Sequence, residues 1–234
     1  AADASLLVDC GAGAVGSLVN AGGSIQEIKG VALSHLHPDH TGDLVTLLFA
    51  LTNPVSAPRL SPLYIWGPPG TAALLHALAG VYGGWVQPPA CEVRVKELTA
   101  GVAEDIGPIT LTPEGAEHSG ACFCYRLEHG EQAMCYSGDT GPCQGLRSAA
   151  RGAEVLICEC SVAEDEQVSG HMKASQVGEL ARSARCGQVI LTHLYPHILA
   201  QDPVKIVKEQ FTGPVRLAED GALGTPAKIT VRHV

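Results

Sequence analysis

Two hydrophobic periods alternate along this chain. Short apolar runs bounded by Gly, Pro or Asp read as strands, and longer stretches with apolar residues three and four apart read as helices. Ser5–Asp9 predicts a strand stopped by Cys10-Gly11-Ala12-Gly13, with a helix following to about Ala21. Val31–Ser34 predicts a second strand that runs into a histidine-rich turn. Asp43–Leu51 then reads as a helix, with Thr41 or Asp43 near its N-cap. Leu63–Trp66 is a strand ended by Gly-Pro-Pro-Gly, and Thr71–Val81 is a helix.

Between Gly83 and Gly120 the runs Glu92–Leu98 and Ile109–Thr112, separated by Gly and Pro, predict a meandering sheet. Ala121–Leu127 and Gln132–Ser137 predict a hairpin around His129-Gly130-Glu131. The alternation resumes with strand Val155–Glu159, helix Ala174–Arg185, strand Val189–Thr192 and helix Pro203–Gln210. Strands at Val215–Leu217 and Lys228–Val231 close the pattern. Strands with helices interposed predict sheets covered by helices, in one α/β domain spanning 1–234.

Composition narrows this picture. Apolar residues are 46% of the 234 and aromatics only 4%, so the core must be mostly Ala, Val and Leu. The net charge of −9 and the lack of any run of basic residues argue against a nucleic-acid face. No apolar stretch approaches the length of a membrane span, and no signal peptide is expected. The nine cysteines, an odd number, argue against a closed disulfide framework and for a reducing, cytoplasmic setting. Cys122 and Cys124, and Cys158 and Cys160, share strand faces and are read as buried thiols rather than metal ligands.

The chemistry is concentrated in His35-Leu36-His37-Pro38-Asp39-His40. Imidazole and carboxylate at this spacing suit a divalent metal, zinc above all. His35 and His37 converge on one ion, while Asp39 and His40 face a second. Four residues cannot close two sites, so further ligands are expected at other strand ends. His118, Asp139 (in Ser137-Gly138-Asp139-Thr140-Gly141) and His193 are the candidates.

The order of these motifs resembles the metallo-β-lactamase superfamily, from Leu7-Val8-Asp9-Cys10-Gly11 to Ala218-Glu219-Asp220-Gly221. Within it the chain is most similar to the ribonuclease Z and PhnP-like phosphodiesterase branch. Asp139, where true β-lactamases carry a bridging cysteine, points that way. So does Leu156-Ile157-Cys158-Glu159-Cys160-Ser161 followed by Gly170-His171-Met172-Lys173-Ala174-Ser175.

The resemblance implies an αββα sandwich of two mixed sheets with helices on the outer faces. It also implies two divalent ions, zinc by preference with Mn or Fe as alternatives. His35, His37 and His118 would hold one ion, Asp39, His40 and His193 the other, and Asp139 with a hydroxide would bridge them. His171, supported by Glu159, would donate a proton, Asp39 would count among the catalytic residues as well as the ligands, and Asp9 would steady the histidine turn. The reaction implied is attack of the bridging hydroxide on a phosphodiester. Lactone, sulfate-ester or β-lactam hydrolysis, or ribonuclease Z-type RNA processing, are the alternatives.

Two departures from the family pattern matter. The strand and Gly-rich turn that normally precede the Asp9 region are absent, which predicts an unpaired sheet edge. Bacterial ribonuclease Z proteins carry a long tRNA-clamping arm between the positions of His118 and Asp139, whereas twenty residues separate them here. The acidic stretch Ala163-Glu164-Asp165-Glu166-Gln167 would also repel a polyanion. A small phosphodiester is therefore the expected partner, tRNA is not, and a homodimer is left open. Tyr64, Trp66 and Trp85 are candidate apolar walls, and His197 is a candidate pocket residue. His76, His129 and His233 are read as structural or surface.

Overall fold

The structure, a computed structural model, describes residues 5–53, 59–221, 223–224 and 231–232. The chain divides into two compact units, Ala1–Thr99 with Arg232–Val234, and Ala100–Val231.

The first unit is a strand–helix repeat. β1 (Ser5–Val8), α1 (Ala14–Asn20), β2 (Ile28–Ala32), α2 (Pro38–Thr41) and α3 (Leu44–Thr52) precede β3 (Leu63–Gly67), α4 (Thr71–Tyr82) and β4 (Val93–Glu97). The sheet runs β1-β2-β3-β4 and every neighbouring pair is parallel. Parallel strands covered by crossover helices bury both faces, and β3 accordingly reads almost continuously apolar. Leu44, Leu47, Leu48 and Leu51, spaced i, i+3, i+4 and i+7, put one face of α3 into the core beside Leu33, Leu63 and Ile65. The β4 edge carries exposed Arg94, Lys96 and Glu97, charges that discourage pairing with another strand.

Arg59 is buried in this unit, and its guanidinium donates to the carbonyls of Ile25, Gln26, Ile28, Ser61 and Pro62. It satisfies carbonyls that irregular backbone would otherwise leave unpaired.

The second unit begins with a meander. β5 (Glu104–Ile106), β6 (Ile109–Gly115), β7 (Phe123–His129) and β8 (Gln132–Tyr136) pair antiparallel in sequence order. α5 (Gln144–Ala150), β9 (Val155–Glu159), α6 (Ala174–Ala184), β10 (Gln188–Thr192), α7 (Pro196–Leu199), α8 (Pro203–Gln210) and β11 (Val215–Leu217) then add parallel strands. The seven-stranded order is β11-β10-β9-β8-β7-β6-β5. Its core combines Leu146, Leu156, Val177, Ala181, Val189 and Leu191 with the thiols of Cys124, Cys135, Cys158 and Cys160. Cysteine thus joins the Ala, Val and Leu that the composition predicts.

Several expectations need correcting. Only the second sheet is mixed; the described strands of the first are all parallel. The strand expected at Val31–Ser34 lies at Ile28–Ala32, because Ile28 and Gly30 already pair with β1, and Lys29, at the register shift between them, interrupts the apolar pattern without ending the strand. The run Glu92–Leu98 does not join the meander. It is the last strand of the first sheet, reached from β3 through α4, as strand–helix–strand units favour. The short elements α2, β5, α5 and α7 carry too few residues to show a period. The strand expected at Lys228–Val231 falls mostly outside the described residues, as does His233. Among the described residues no helix is long and apolar enough to cross a membrane.

Candidate metal centre

In the first unit the candidate ligands occupy one turn after β2. His37 caps α2, Pro38 opens it at a position where the missing N–H costs nothing, and one helical turn brings His40 back beside the strand end. The His35 ring centroid lies 4.5 Å from that of His37 and 4.1 Å from that of His40. His35 and His40 are buried, whereas Asp39 is exposed with Oδ2 3.7 Å from His40 Nε2.

Asp9 organises this turn from a left-handed backbone conformation, φ 61°. Its Oδ1 accepts the Ser34 N–H at 2.6 Å. Oδ2 accepts the Ser34 hydroxyl at 2.8 Å and meets His40 Nδ1 at 2.7 Å. Because the Ser34 proton goes to Asp9, His35 Nδ1–H is the donor to Ser34 Oγ at 3.0 Å. In His40 the proton likewise sits on Nδ1, facing the carboxylate. Both rings then carry their lone pair on Nε2, the tautomer a metal ligand needs. Gly11 is required by close approach, since a Cβ there would lie 1.9 Å from the Asp39 carbonyl oxygen.

In the second unit the candidates leave the C-terminal ends of β8, β9 and β10 and the turn after β6. His118 donates Nδ1–H to the Gly170 carbonyl at 3.0 Å, which again leaves the lone pair on Nε2. Asp139 is buried, and His193, at φ 53°, places Nδ1 3.2 Å from Asp139 Oδ1. Glu159 is fully buried. Its Oε1 meets His171 Nδ1 at 2.7 Å and accepts the Thr140 N–H at 2.9 Å, while Oε2 accepts from the Ser161 hydroxyl and the Met172 N–H. The ligand atoms of His118, Asp139 and His171 lie within 4.8 Å of one another, as do those of Glu159, His171 and His193. Neutral imidazoles and carboxylates at this spacing suit a divalent ion of the zinc, manganese or iron kind.

No cysteine falls in any metal-ligand group among the described residues. Burial pushes the Cys10 thiol up to about 12, with Asp43 and Asp9 adding to it, and burial raises Cys122 and Cys158 as well. These thiols stay protonated and are poor ligands.

His197 is exposed. Its ring stacks on Tyr195 at 5.9 Å and its Nε2 is 3.8 Å from the Glu166 carboxylate. Trp66 is buried against Tyr64, whereas Trp85 is exposed beside Phe49. His76 is exposed and His129 half-buried. Part of the acidic stretch fastens its own loop: Glu164 takes the Ser175 N–H and hydroxyl, and Glu166 the Ala163 N–H.

Sequence reasoning missed Ser34, Thr140 and Ser161, which orient the ligands and Glu159. Their signal was adjacency to the motifs, because small hydroxyl residues beside a ligand are the usual source of such bonds.

The β-lactamase superfamily domain model matches residues 5–194. The uncharacterized protein ML1173 of Mycobacterium leprae (strain TN) is 31% identical over 92% of this chain and 76% of its own length. A ribonuclease Z of Mycobacterium sp. (strain KMS) is 30% identical over 83% of this chain and 75% of its own length. Among solved structures, the metallo-β-lactamase fold protein YhfI of Bacillus subtilis superposes with a TM-score of 0.81 at 26% identity. That match covers 94% of this chain and 86% of YhfI.

Proposed function

The chain belongs to the β-lactamase superfamily, a superfamily of hydrolytic metalloenzymes, and from that membership we propose that it is a two-zinc phosphodiesterase acting on a small phosphodiester. In this reading His35, His37 and His118 would hold one ion and Asp39, His40 and His193 the other, with Asp139 as a further ligand. Supporting the assignment, His35, His40 and His118 each have Nδ1 engaged in a hydrogen bond, which leaves Nε2 as the ligand atom. When bound, such a pair of ions activates water and neutralises charge growing on phosphoryl oxygens.

The observation that carries the diester reading is the Glu159–His171 pair, Nδ1 to Oε1 at 2.7 Å. The buried carboxylate holds Nδ1–H, so Nε2 is the atom through which His171 passes a proton to a departing alkoxide. An acyl transfer from a lactone leans on that proton less. Three further donors, from Thr140, Ser161 and Met172, fix the carboxylate so that the imidazole cannot swing away.

A ribonuclease Z activity is favoured by the mycobacterial relative of that name. Against it, the segment between His118 and Asp139 is only the β7–β8 hairpin, and the chain carries a net charge of −9. A small substrate, such as a cyclic nucleotide or a nucleotide or sugar diester, suits these features better.

The test is a panel on zinc-loaded protein: cyclic nucleotides, bis-p-nitrophenyl phosphate, a lactone, a cephalosporin and a precursor tRNA. Diester turnover is expected, with His171→Ala lowering it by about 10²-fold or more. Undiminished diester turnover in that variant refutes the role of His171. Turnover confined to the precursor tRNA, the lactone or the cephalosporin refutes the substrate class.

A further inference from the structure

A row of rings in the second unit runs outward from the candidate proton donor. The His171 ring centroid lies 5.7 Å from that of His193, His193 lies 5.4 Å from Tyr195, and Tyr195 lies 5.9 Å from His197. The first two pairs are tilted, whereas the Tyr195 and His197 rings are within 12° of parallel. The row begins at the candidate centre and ends in solvent, where Tyr195 is 47% exposed and the His197 side chain 54%.

The local sequence sets this arrangement. β10 ends at Thr192, His193 takes a φ of 53°, and Pro196 opens α7 directly after Tyr195. Proline pre-sets the first helical residue, so the helix starts at once and carries His197 back over Tyr195. Ile198 is buried, which leaves Tyr195, His197 and Leu199 exposed around it.

Both exposed rings are held. The Tyr195 hydroxyl lies 3.4 Å from His193 Nε2, and His197 Nε2 lies 3.8 Å from the Glu166 carboxylate, which accepts the Ala163 N–H. In the same loop the Glu164 N–H donates to the Gln201 side chain, just past α7. A tyrosine with few rotors, already packed between two rings, loses little freedom when a planar group lies against it.

An aromatic base gains from such a ring, and an alkyl or sugar group has no π-face to offer it. The charges nearby favour the same kind of ligand. A neutral base brings N–H donors to the carboxylates of Glu164, Asp165 and Glu166, whereas a second phosphate would be repelled by them. One sugar ring separates the phosphate from the base in a nucleotide, and one ring step separates His193 from Tyr195.

We infer that Tyr195, backed by His197, is a specificity-determining residue that stacks the nucleobase of a mononucleotide diester whose phosphate lies at His171 and His193. The inference rests on the phosphodiesterase assignment above and narrows its substrate to a nucleotide with a single phosphate group.

The experiment titrates the zinc-loaded full chain calorimetrically with AMP, GMP and ribose 5-phosphate, which share sugar and phosphate and differ in the base. At least one nucleotide is expected to bind about 5–100-fold more tightly than ribose 5-phosphate, the range for one stacked base. Tyr195→Phe is expected to keep that ratio and Tyr195→Ala to bring it close to one. A general change at the site cancels, because each ratio is read on a single protein. Nucleotides that bind the parent chain no more tightly than ribose 5-phosphate, failure of all three to bind included, overturn the inference, as does an unchanged ratio in Tyr195→Ala. Diester turnover without a nucleotide preference refutes the stacking role alone. A nucleotide preference without diester turnover refutes the reaction and leaves the stacking role standing.

Discussion

The two units hold their candidate ligands by opposite means. In the first, four of them lie within six residues, and one acceptor, Asp9, spans the turn through Ser34 and His40. In the second, His118, Asp139, Glu159, His171 and His193 come from separate strand ends and loops. Their fasteners are correspondingly scattered: the Gly170 carbonyl, Thr140, Ser161 and the Met172 N–H. A local site is set by one backbone turn, whereas a distributed one depends on the register of a whole sheet. Damage should therefore stay local in the first unit and spread in the second.

The sharpest test of that contrast pairs Glu159→Gln with Asp9→Asn. The amide in Glu159→Gln must present an NH₂ to a pocket in which every near neighbour is a donor, so Oε contacts to His171, Thr140, Ser161 and Met172 cannot all survive. Diester turnover is expected to fall by about 10²–10⁴-fold, the range for loss of a positioned proton donor. Asp9→Asn keeps most of its geometry and loses chiefly the charge facing His40. A loss of about 10–100-fold in zinc affinity or turnover is expected, the usual effect of a group behind a ligand. Steady-state kinetics with metal analysis on the same samples reads both. Equal losses would mean that the two units are not organised differently.

Stability offers a second contrast. Arg59→Met removes a buried guanidinium and leaves five carbonyls of the first unit without their donor. Uncompensated buried acceptors cost about 1–3 kcal/mol each where water cannot reach them. Urea unfolding is expected to show the full chain weakened by about 3 kcal/mol, allowing for partial rehydration. Gly11→Ala is smaller in scope, because the inserted methyl meets the Asp39 carbonyl and must push the histidine turn aside. About 1–3 kcal/mol is the expected cost, with zinc content falling alongside. A Gly11→Ala protein that unfolds and binds zinc as the parent does would show that the turn is not held where the close contact implies.

The same contrast explains what the sequence disclosed. The turn His35–His40 was legible because its ligands are contiguous and follow an apolar strand, and the longer helices were legible because four or more apolar positions repeat at helical spacing. The scattered ligands could be placed only as strand ends, and their grouping required the register that joins β8, β9 and β10. Beyond legibility altogether were contacts made by backbone, such as the Gly170 carbonyl on His118. The placement of Glu92–Leu98 was misread for a related reason. Its alternation fits either an antiparallel meander or a parallel edge, and only the crossover through α4 decides.

The last prediction concerns Cys143, whose thiol is held down by its neighbours despite partial burial. The contact with Cys124 lowers Cys143 from its unperturbed 9.0 and raises Cys124 above the same value. For Cys143, folding stability is fully present above pH 9 and is lost as pH falls toward about 5. For Cys124 the sign reverses, its contribution being present below pH 9 and lost above it. The two windows do not overlap, so nothing offsets Cys143 between neutral and mildly acidic pH, and on its account the thermal unfolding temperature is expected to fall as pH falls toward about 5. Chemical reactivity reads Cys143 directly, because alkylation needs a thiolate and Cys124 is fully buried. Iodoacetamide labelling of Cys143, followed by peptide mass spectrometry, is expected to stay fast from pH 8 down to about 6 and to slow only as pH approaches 5. Cys124→Ala removes the largest of the interactions that stabilise the thiolate and should move that midpoint upward. A labelling midpoint near 9 in the parent chain would mean that the neighbours of Cys143 do not stabilise its thiolate.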